Sequence, residues 1–349
     1  MKKTKKITYE LLDLIKFIAA ICVVGIHTFP HDGTGNDIRI FFRFSVPLFF
    51  IISSYLLFSK LTYTDKKKDY FVIKRYSLRI LTMYLCWLIF YSPYIINRLE
   101  SIINQPDLFK NGLILLYSLV LGYVPSIGVS WFLMAIVFGV IVTYYVAMYL
   151  SDKFLIILGI LSFGIGLSTA TYGKWYFALT FIHKIPLATS VPFSLVSTIC
   201  YIIIGYFLVK YNRFGRTFSN FTMIILSLLF SILGYLEVKF AQSLDFYYDS
   251  QNFIFLPFIA VCIFLFIINN PQIKIPYATF FRKASIIIYL AQNPIKFILF
   301  KFGQTNQIDL LSTDNVTVYI TQCFLLLFIS YLIIELSKYN QLRLLRKLS

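Results

Sequence analysis

Acidic side chains are scarce in this sequence. Its 349 residues carry 15 Asp and Glu against 32 Lys and Arg, and only three histidines. Charged residues of both signs amount to 13%, too few to solvate the surface of a soluble domain, and 59% of the chain is hydrophobic with mean hydropathy +0.77. Cysteine is sparse as well. Cys22, Cys86, Cys200, Cys262 and Cys323 stand alone in apolar segments, without the CxxC spacing or Cys/His grouping of a zinc site or disulfide framework, and read as core filler. No internal repeat, long linker or low-complexity tract divides the chain, so a single domain over residues 1–349 is expected. The net charge of +17 could point to nucleic acid, but the basic residues sit in short loops between apolar runs, where they act as topology signals.

What is present is a series of runs near the roughly 20 residues that cross a bilayer. The spans are 11–30, 40–59, 76–96, 129–150, 154–172, 191–210, 221–241, 252–269, 284–301 and 315–337. The expected fold is an all-α integral membrane bundle of about ten transmembrane helices, with both termini on one side. Loops on that side hold Lys2–Lys6, Lys60–Arg75, Lys153, Lys210–Arg216, Lys274–Lys283 and Lys338–Lys347. The opposite loops hold Asp32, Asp37, Asp107, Asp245, Asp249, Asp309 and Asp314. The excess of Lys and Arg makes the first side, and both termini, cytoplasmic. Gly112–Tyr123 is too short to span and reads as a re-entrant or interfacial piece leading to the loop before Trp131. The basic start before the first run resembles a signal peptide, but the run lacks a small-residue cleavage site and continues into Phe29-Pro30-His31, so the first helix is expected to stay.

Four polar groups interrupt the apolar background. In the first span, Lys16 and His27 are 11 steps apart, about 1100° of helix and so within roughly 20° of three full turns. They share a face about 16 Å apart along the axis, and intramembrane ionisable groups of this kind turn toward a bundle interior or a water-filled path. The bland alternative has Lys16 snorkelling while paired with Asp13, and His27 as an interfacial histidine. Histidine is nevertheless the side chain best suited to take and return a proton near neutral pH. At the start of the third span, Lys74, Arg75 and Arg79 follow Lys66–Lys68. Arg75 and Arg79 are four apart, where two guanidinium forks could grip phosphate oxygens. An ordinary basic flank explains Lys66–Lys68; Arg79, a turn inside the apolar run, needs a partner within the bundle.

In the second span, Ser53 and Ser54 permit close helix approach, and Arg43 lies at the outer end. In the ninth, Ser285, Tyr289, Gln292, Asn293 and Pro294 form a polar wall with a proline that frees a carbonyl. His31 follows His27 by four residues beside Asp32, but Pro30 intervenes and no further ligand is evident, so no metal is expected. His183 beside Lys184 reads as a loop histidine.

DLIKFIAAICVVGIHT, from Asp13 to Thr28, resembles the first-helix signature of the acyltransferase 3 family of integral membrane acyltransferases, in which a basic residue precedes a histidine by eleven positions. FFIISSYLLF resembles the second-helix motif, with Ser54 where glycine is usual. KRYSLRI resembles the basic motif, although its arginines are usually three apart. SWFLMAI resembles the Trp-Phe-Leu segment around Trp131. SIIIYLAQNP resembles the late-helix motif, with Gln292 where histidine is common. The resemblance implies transfer of an acyl group, usually acetyl, from cytoplasmic acetyl-CoA to a hydroxyl of a surface glycan, lipid-linked sugar or peptidoglycan in a bacterial plasma membrane. It implies His27 as the catalytic histidine, with Lys16 as its basic partner in place of the usual arginine. Asp13 joins them as a candidate from its position. The resemblance also implies Arg75 and Arg79, with Lys74 beside them, as contacts to CoA phosphates. Arg43, Ser53, Trp131, Ser285, Tyr289 and Gln292 are the candidate cavity lining. Expected partners are membrane lipid, acyl-CoA and the glycan acceptor, without nucleic acid. No fused soluble domain follows the tenth span, so the membrane part is expected to finish the transfer or to use a separate partner. A related possibility is the membrane part of a vancomycin-resistance type serine racemase. From another class, the chain could be a transporter or flippase for a glycolipid or small acid, a reading that inverted repeats would favour and their absence does not. A purely structural protein would have no need to bury Lys16 and Arg79.

Overall fold

A computed structural model describes residues 9–103, 107–122, 129–174, 195–211, 218–244 and 246–339, with 342, 345, 346 and 348 of the tail. Lys2–Lys6, Tyr123, His183, Lys184 and Asp245 lie outside them, as do Arg213, Arg216 and Lys347. The described residues form helices joined by short turns, without strands. In chain order these are α1 (Glu10–Thr28), α2 (Gly33–Phe42), α3 (Ser45–Phe58), α4 (Lys66–Phe90), α5 (Ser92–Ile103), α6 (Leu108–Val120) and α7 (Trp131–Tyr149). They continue as α8 (Asp152–Ser168), α9 (Ile199–Lys210), α10 (Asn220–Ser243), α11 (Leu256–Asn269), α12 (Ala278–Thr305), α13 (Asp309–Ser312) and α14 (Val316–Leu336).

Six segments among the described residues are long and apolar enough to cross a membrane: Glu10–Thr28, Gly33–Phe58, Trp131–Tyr149, Asn220–Ser243, Ala278–Thr305 and Val316–Leu336. They correspond to the first, second, fourth, seventh, ninth and tenth expected spans. The other four expected spans hold helices that fall short of that description, each for its own reason. α4 begins within the charged run Lys66–Asp69 and stops at Tyr91, so its apolar part is short. α8 and α11 are 17 and 14 residues long, and residues 191–194 of the expected sixth span are not described.

α1 is the central strut, packed against α12, α3, α2 and α14. Ala19 and Ala20 are fully buried, which lets neighbouring backbones approach closely. α1 ends at Thr28 because Phe29 turns extended ahead of Pro30, which disfavours helix at the residue before it. On α3, Ser54 stands opposite Gly205 of α9, where an added Cβ would overlap the Ser54 Oγ. The small residue missing on one helix is thus supplied by the other, and Ser54 satisfies its hydroxyl on the Phe50 carbonyl at 2.8 Å. Pro294 removes the N–H that would have bonded the carbonyl four residues earlier, yet α12 continues to Thr305. The freed carbonyl, that of Leu290, accepts the hydroxyl of Tyr91 instead. Outward faces such as Ile224, Leu228, Ile232 and Leu236 of α10 are exposed and apolar, as expected for a helix against lipid.

Candidate active site

A cavity of about 270 Å³ opens among α1, α3, α4, α7 and α12. Its polar lining is Lys16, Ser53, Lys60, Tyr76, Arg79, Arg282, Ser285 and Tyr289, so five sequence candidates, Lys16, Ser53, Arg79, Ser285 and Tyr289, come together there. Phe49, Phe132 and Tyr289 pack ring to ring at 5.1–5.9 Å and line the cavity from the side nearer the C-terminal end of α1.

Asp13 is not the partner of Lys16. The Arg282 Nε and Nη2 reach both its carboxylate oxygens at 2.6–3.0 Å, and the carboxylate is buried. A planar fork satisfies two oxygens at once where an ammonium cannot, so Arg282 wins the competition. Lys16, Lys60 and Arg79 are left with no carboxylate within ion-pair distance among the described residues. Three cations without an ion pair thus border one small space.

The basic motif divides differently from the expectation. Tyr76, Arg79, Ile80 and Met83 of α4 line the cavity and Arg75 and Lys74 do not; Arg79, expected to be buried, is exposed at the cavity edge as Arg75 and Lys74 are outside it. At about 100° per residue, positions 76, 80 and 83 lie about 40–100° to one side of Arg79, while Arg75 lies about 40° to the other. Lys74 instead sits 5.9 Å from the Tyr70 ring centre. Trp131 also misses the cavity, packing 6.2 Å from the Phe50 ring while Phe132, Leu133 and Ile136 supply the lining.

His27 occupies the other end of α1. Its side chain is exposed. The Lys296 Nζ bonds the His27 carbonyl at 2.5 Å and pairs with Asp314 at 2.6 Å. Arg43 is not bonded to His27 or Asp13; it pairs with Asp249 at 2.8 Å and bonds Ser250 at 3.3 Å. Burial tends to raise the Asp249 carboxyl, but the Arg43 and Arg39 guanidiniums outweigh it and hold the group below its ordinary 3.8. His31, in the loop after α1, is held below its ordinary 6.5 by burial and then by the charge of Arg39.

Between the two ends runs a chain of amides and a hydroxyl. Thr28 donates to the Gln322 Oε1 at 2.9 Å, Gln322 donates to the Gln292 carbonyl at 2.7 Å, and Gln292 donates to the Tyr289 carbonyl at 2.8 Å. Gln292 is therefore buried beside the cavity rather than lining it. Among the described residues no group of three or more His, Cys, Asp or Glu is placed to hold a metal. Sequence reasoning missed Lys60, Tyr76, Arg282, Arg39 and Lys296. Arg282 had one usable signal, its position three residues before Ser285 on the same helix face.

The chain is a member of the acyltransferase 3 family, whose acyltransferase domain matches residues 9–335, nearly its whole length. It is a multi-pass membrane protein of that family. The chain is also similar in part to two amino-acid racemases of Enterococcus faecalis, of which it spans about a tenth. One is 40% identical over 76 residues, covering 20% of this chain and 11% of that protein, and the other is 32% identical over 87 residues, covering 24% and 12%. No solved structure matches.

Proposed function

We propose that the protein is an acetyl-CoA-dependent O-acetyltransferase of a bacterial plasma membrane, acting on a hydroxyl of an envelope polysaccharide or its lipid-linked precursor. In this reading residues 1–349 form one transmembrane domain of ten spans with both termini cytoplasmic. The Lys16 end of α1 then faces the cytoplasm and His27 the outside. The observation that carries the reading is the trio Lys16, Lys60 and Arg79, which face one cavity without carboxylates at the end of α1 opposite His27. Phosphate oxygens of CoA complement those cations. The volume of about 270 Å³ lies just under the roughly 300–1,000 Å³ of pockets for drug-sized ligands, which suits the slim thioester arm and leaves the nucleotide at the mouth.

The acceptor hydroxyl oxygen attacks the thioester carbonyl carbon while the His27 imidazole takes its proton. The C–S bond breaks, and the departing thiolate leaves as the thiol when the imidazolium returns that proton. In a covalent variant an imidazole nitrogen attacks the thioester carbonyl and the C–S bond breaks, the thiolate leaving as the thiol with the imidazole proton; the acceptor hydroxyl then attacks the acetyl-imidazole, the N–C bond breaks and the hydroxyl proton returns to the imidazole. Lys16 and Arg79 orient the donor, Arg282 stiffens the mouth through Asp13, and Phe49, Phe132 and Tyr289 bound the path toward His27.

Membranes supplied with labelled acetyl-CoA test the proposal, with wild type and His27→Ala at matched levels. Label reaching envelope glycan with wild type and not with the variant is the expected result; equal transfer by both removes His27 from the chemistry. Solute movement across vesicles without acetyl transfer would make the chain a transporter. The racemase similarities favour a second reading, the membrane part of a racemase-type protein, in which the acceptor side serves amino-acid chemistry. Amino-acid racemisation by the same membranes, without label in glycan, would select it.

A further inference from the structure

Of the cations named at the His27 end, Arg43, Lys296 and Lys239 each pair with an aspartate and Arg39 does not. It lies on α2 with Asn36 and Arg43, at spacings of three and four that put all three on one helix face. The residue is 3% exposed, and among the described residues its Nε and Nη1 have no hydrogen-bond partner. A buried guanidinium without an acceptor is costly, so a folded protein normally supplies one.

The neighbouring acids are engaged elsewhere. Asp249 gives Oδ1 to Arg43 and to the Ser250 N–H, at 2.8 and 2.6 Å, and Oδ2 to Gln251 at 2.7 Å. Asp314 is held by Lys296 at 2.6 Å, and Asp37 by Lys239 at 2.6 Å. Tyr247 and Asn36 bond each other at 3.2 Å. The balance among Arg39, Arg43, Lys296, Lys239 and the three aspartates is therefore one positive charge, and it resides on Arg39. That charge acts on both His27 and His31, so it stands within electrostatic reach of the proposed reaction centre.

We infer that Arg39 binds an oxyanion carried by the acyl acceptor, a phosphate or a carboxylate, and so holds the acceptor hydroxyl at His27. The inference rests on the transferase reading above and adds to it the class of acceptor: an acidic glycan or a phosphate-bearing precursor rather than a neutral sugar. Nε and Nη1 together present the two-pronged edge that fits two oxygens of either group.

The test uses the full chain in detergent, carrying Lys16→Gln, Lys60→Gln and Arg79→Gln so that the unpaired cavity cations do not contribute. Titration with inorganic phosphate, and separately with acetate, is followed by calorimetry, with melting temperature as the check on folding. Binding of either ion that weakens at least tenfold in folded Arg39→Gln and recovers in part in Arg39→Lys supports the inference. The ion that binds assigns the acceptor group as phosphate or carboxylate. Absence of binding in the parent, or equal binding in folded Arg39→Gln, overturns it. If Arg39→Gln cannot be folded, Arg39→Lys alone decides: binding weakened but present supports the inference, and unchanged binding overturns it.

In membranes, with Lys16, Lys60 and Arg79 intact, Arg39→Gln or Arg39→Lys is expected to raise the acceptor KM at least tenfold with little change in kcat. A fall in kcat alone would place Arg39 on the transition state instead and overturn acceptor binding. Wild-type membranes that transfer no acetyl group would instead overturn the transferase reading, whatever the phosphate titration showed.

Discussion

At the Lys16 end of α1, Lys16, Lys60 and Arg79 surround one space and no carboxylate among the described residues answers them. At the His27 end, Arg43, Lys296 and Lys239 each hold an aspartate, and the imidazole sits among balanced pairs. Unanswered charge marks a place built for a charged visitor; paired charge marks framework that positions something else. The same helix thus runs from a cavity lined by unpaired cations to an exposed imidazole in a mostly neutralised setting.

The largest expected effect comes from the single imidazole. His27→Ala should lower acetyl transfer by about 100-fold or more at equal expression. An unchanged rate would break the contrast, since the His27 end would then be framework throughout. At the other end, Arg79→Gln should raise the KM for acyl-CoA by about 10- to 100-fold, because hydrogen bonds to charged groups contribute about 1.5–3 kcal/mol and 1.4 kcal/mol is tenfold. Arg75→Gln should change it by less than about threefold, consistent with an exposed side chain outside the cavity. Titration of acyl-CoA with both variants decides which arginine receives the donor; equal effects would restore the four-residue pairing read from sequence.

Smaller effects test the paired charges. Arg282→Gln leaves Asp13 buried without its fork and should cost about 1–3 kcal/mol, the low side of a broken buried pair because the Arg282 side chain is 54% exposed. It should appear as a lower melting temperature, partly restored by adding Asp13→Asn. Smallest is the acid dependence of the Arg43–Asp249 pair. Its carboxyl is depressed in the fold, so its stabilisation is fully present above about pH 4 and is lost as pH falls through the folded value. Thermal melts between neutral pH and about pH 3 should show that loss in wild type and not in Asp249→Asn.

Much of this was legible because intramembrane charge is rare. Lys16, Arg79, Ser285 and Tyr289 stand out against apolar runs, and the structure brings them to one cavity. Lys60 and Arg282 were hidden because a ligand-binding cation near a helix end looks the same in sequence as a topology charge. The Arg43–Asp249 contact joins residues 206 apart and has no local signature. Arg75 falls outside the cavity because a four-residue step leaves about 40° of rotation, enough to turn a side chain off a narrow space. Six spans were visible by length and composition; α4, α8 and α11 show that a segment can pack in the bundle while its own helix is short or charged.

The Thr28–Gln322–Gln292 chain also bears on energy conservation. Neither an alcohol nor an amide gains or loses a proton readily near neutral pH. The link between the cationic cavity and His27 can therefore transmit position without conducting protons. An acyl group crossing beside it would leave the ion gradient of the membrane undissipated, which a histidine at position 292 would put at risk by adding a titratable step between the two ends.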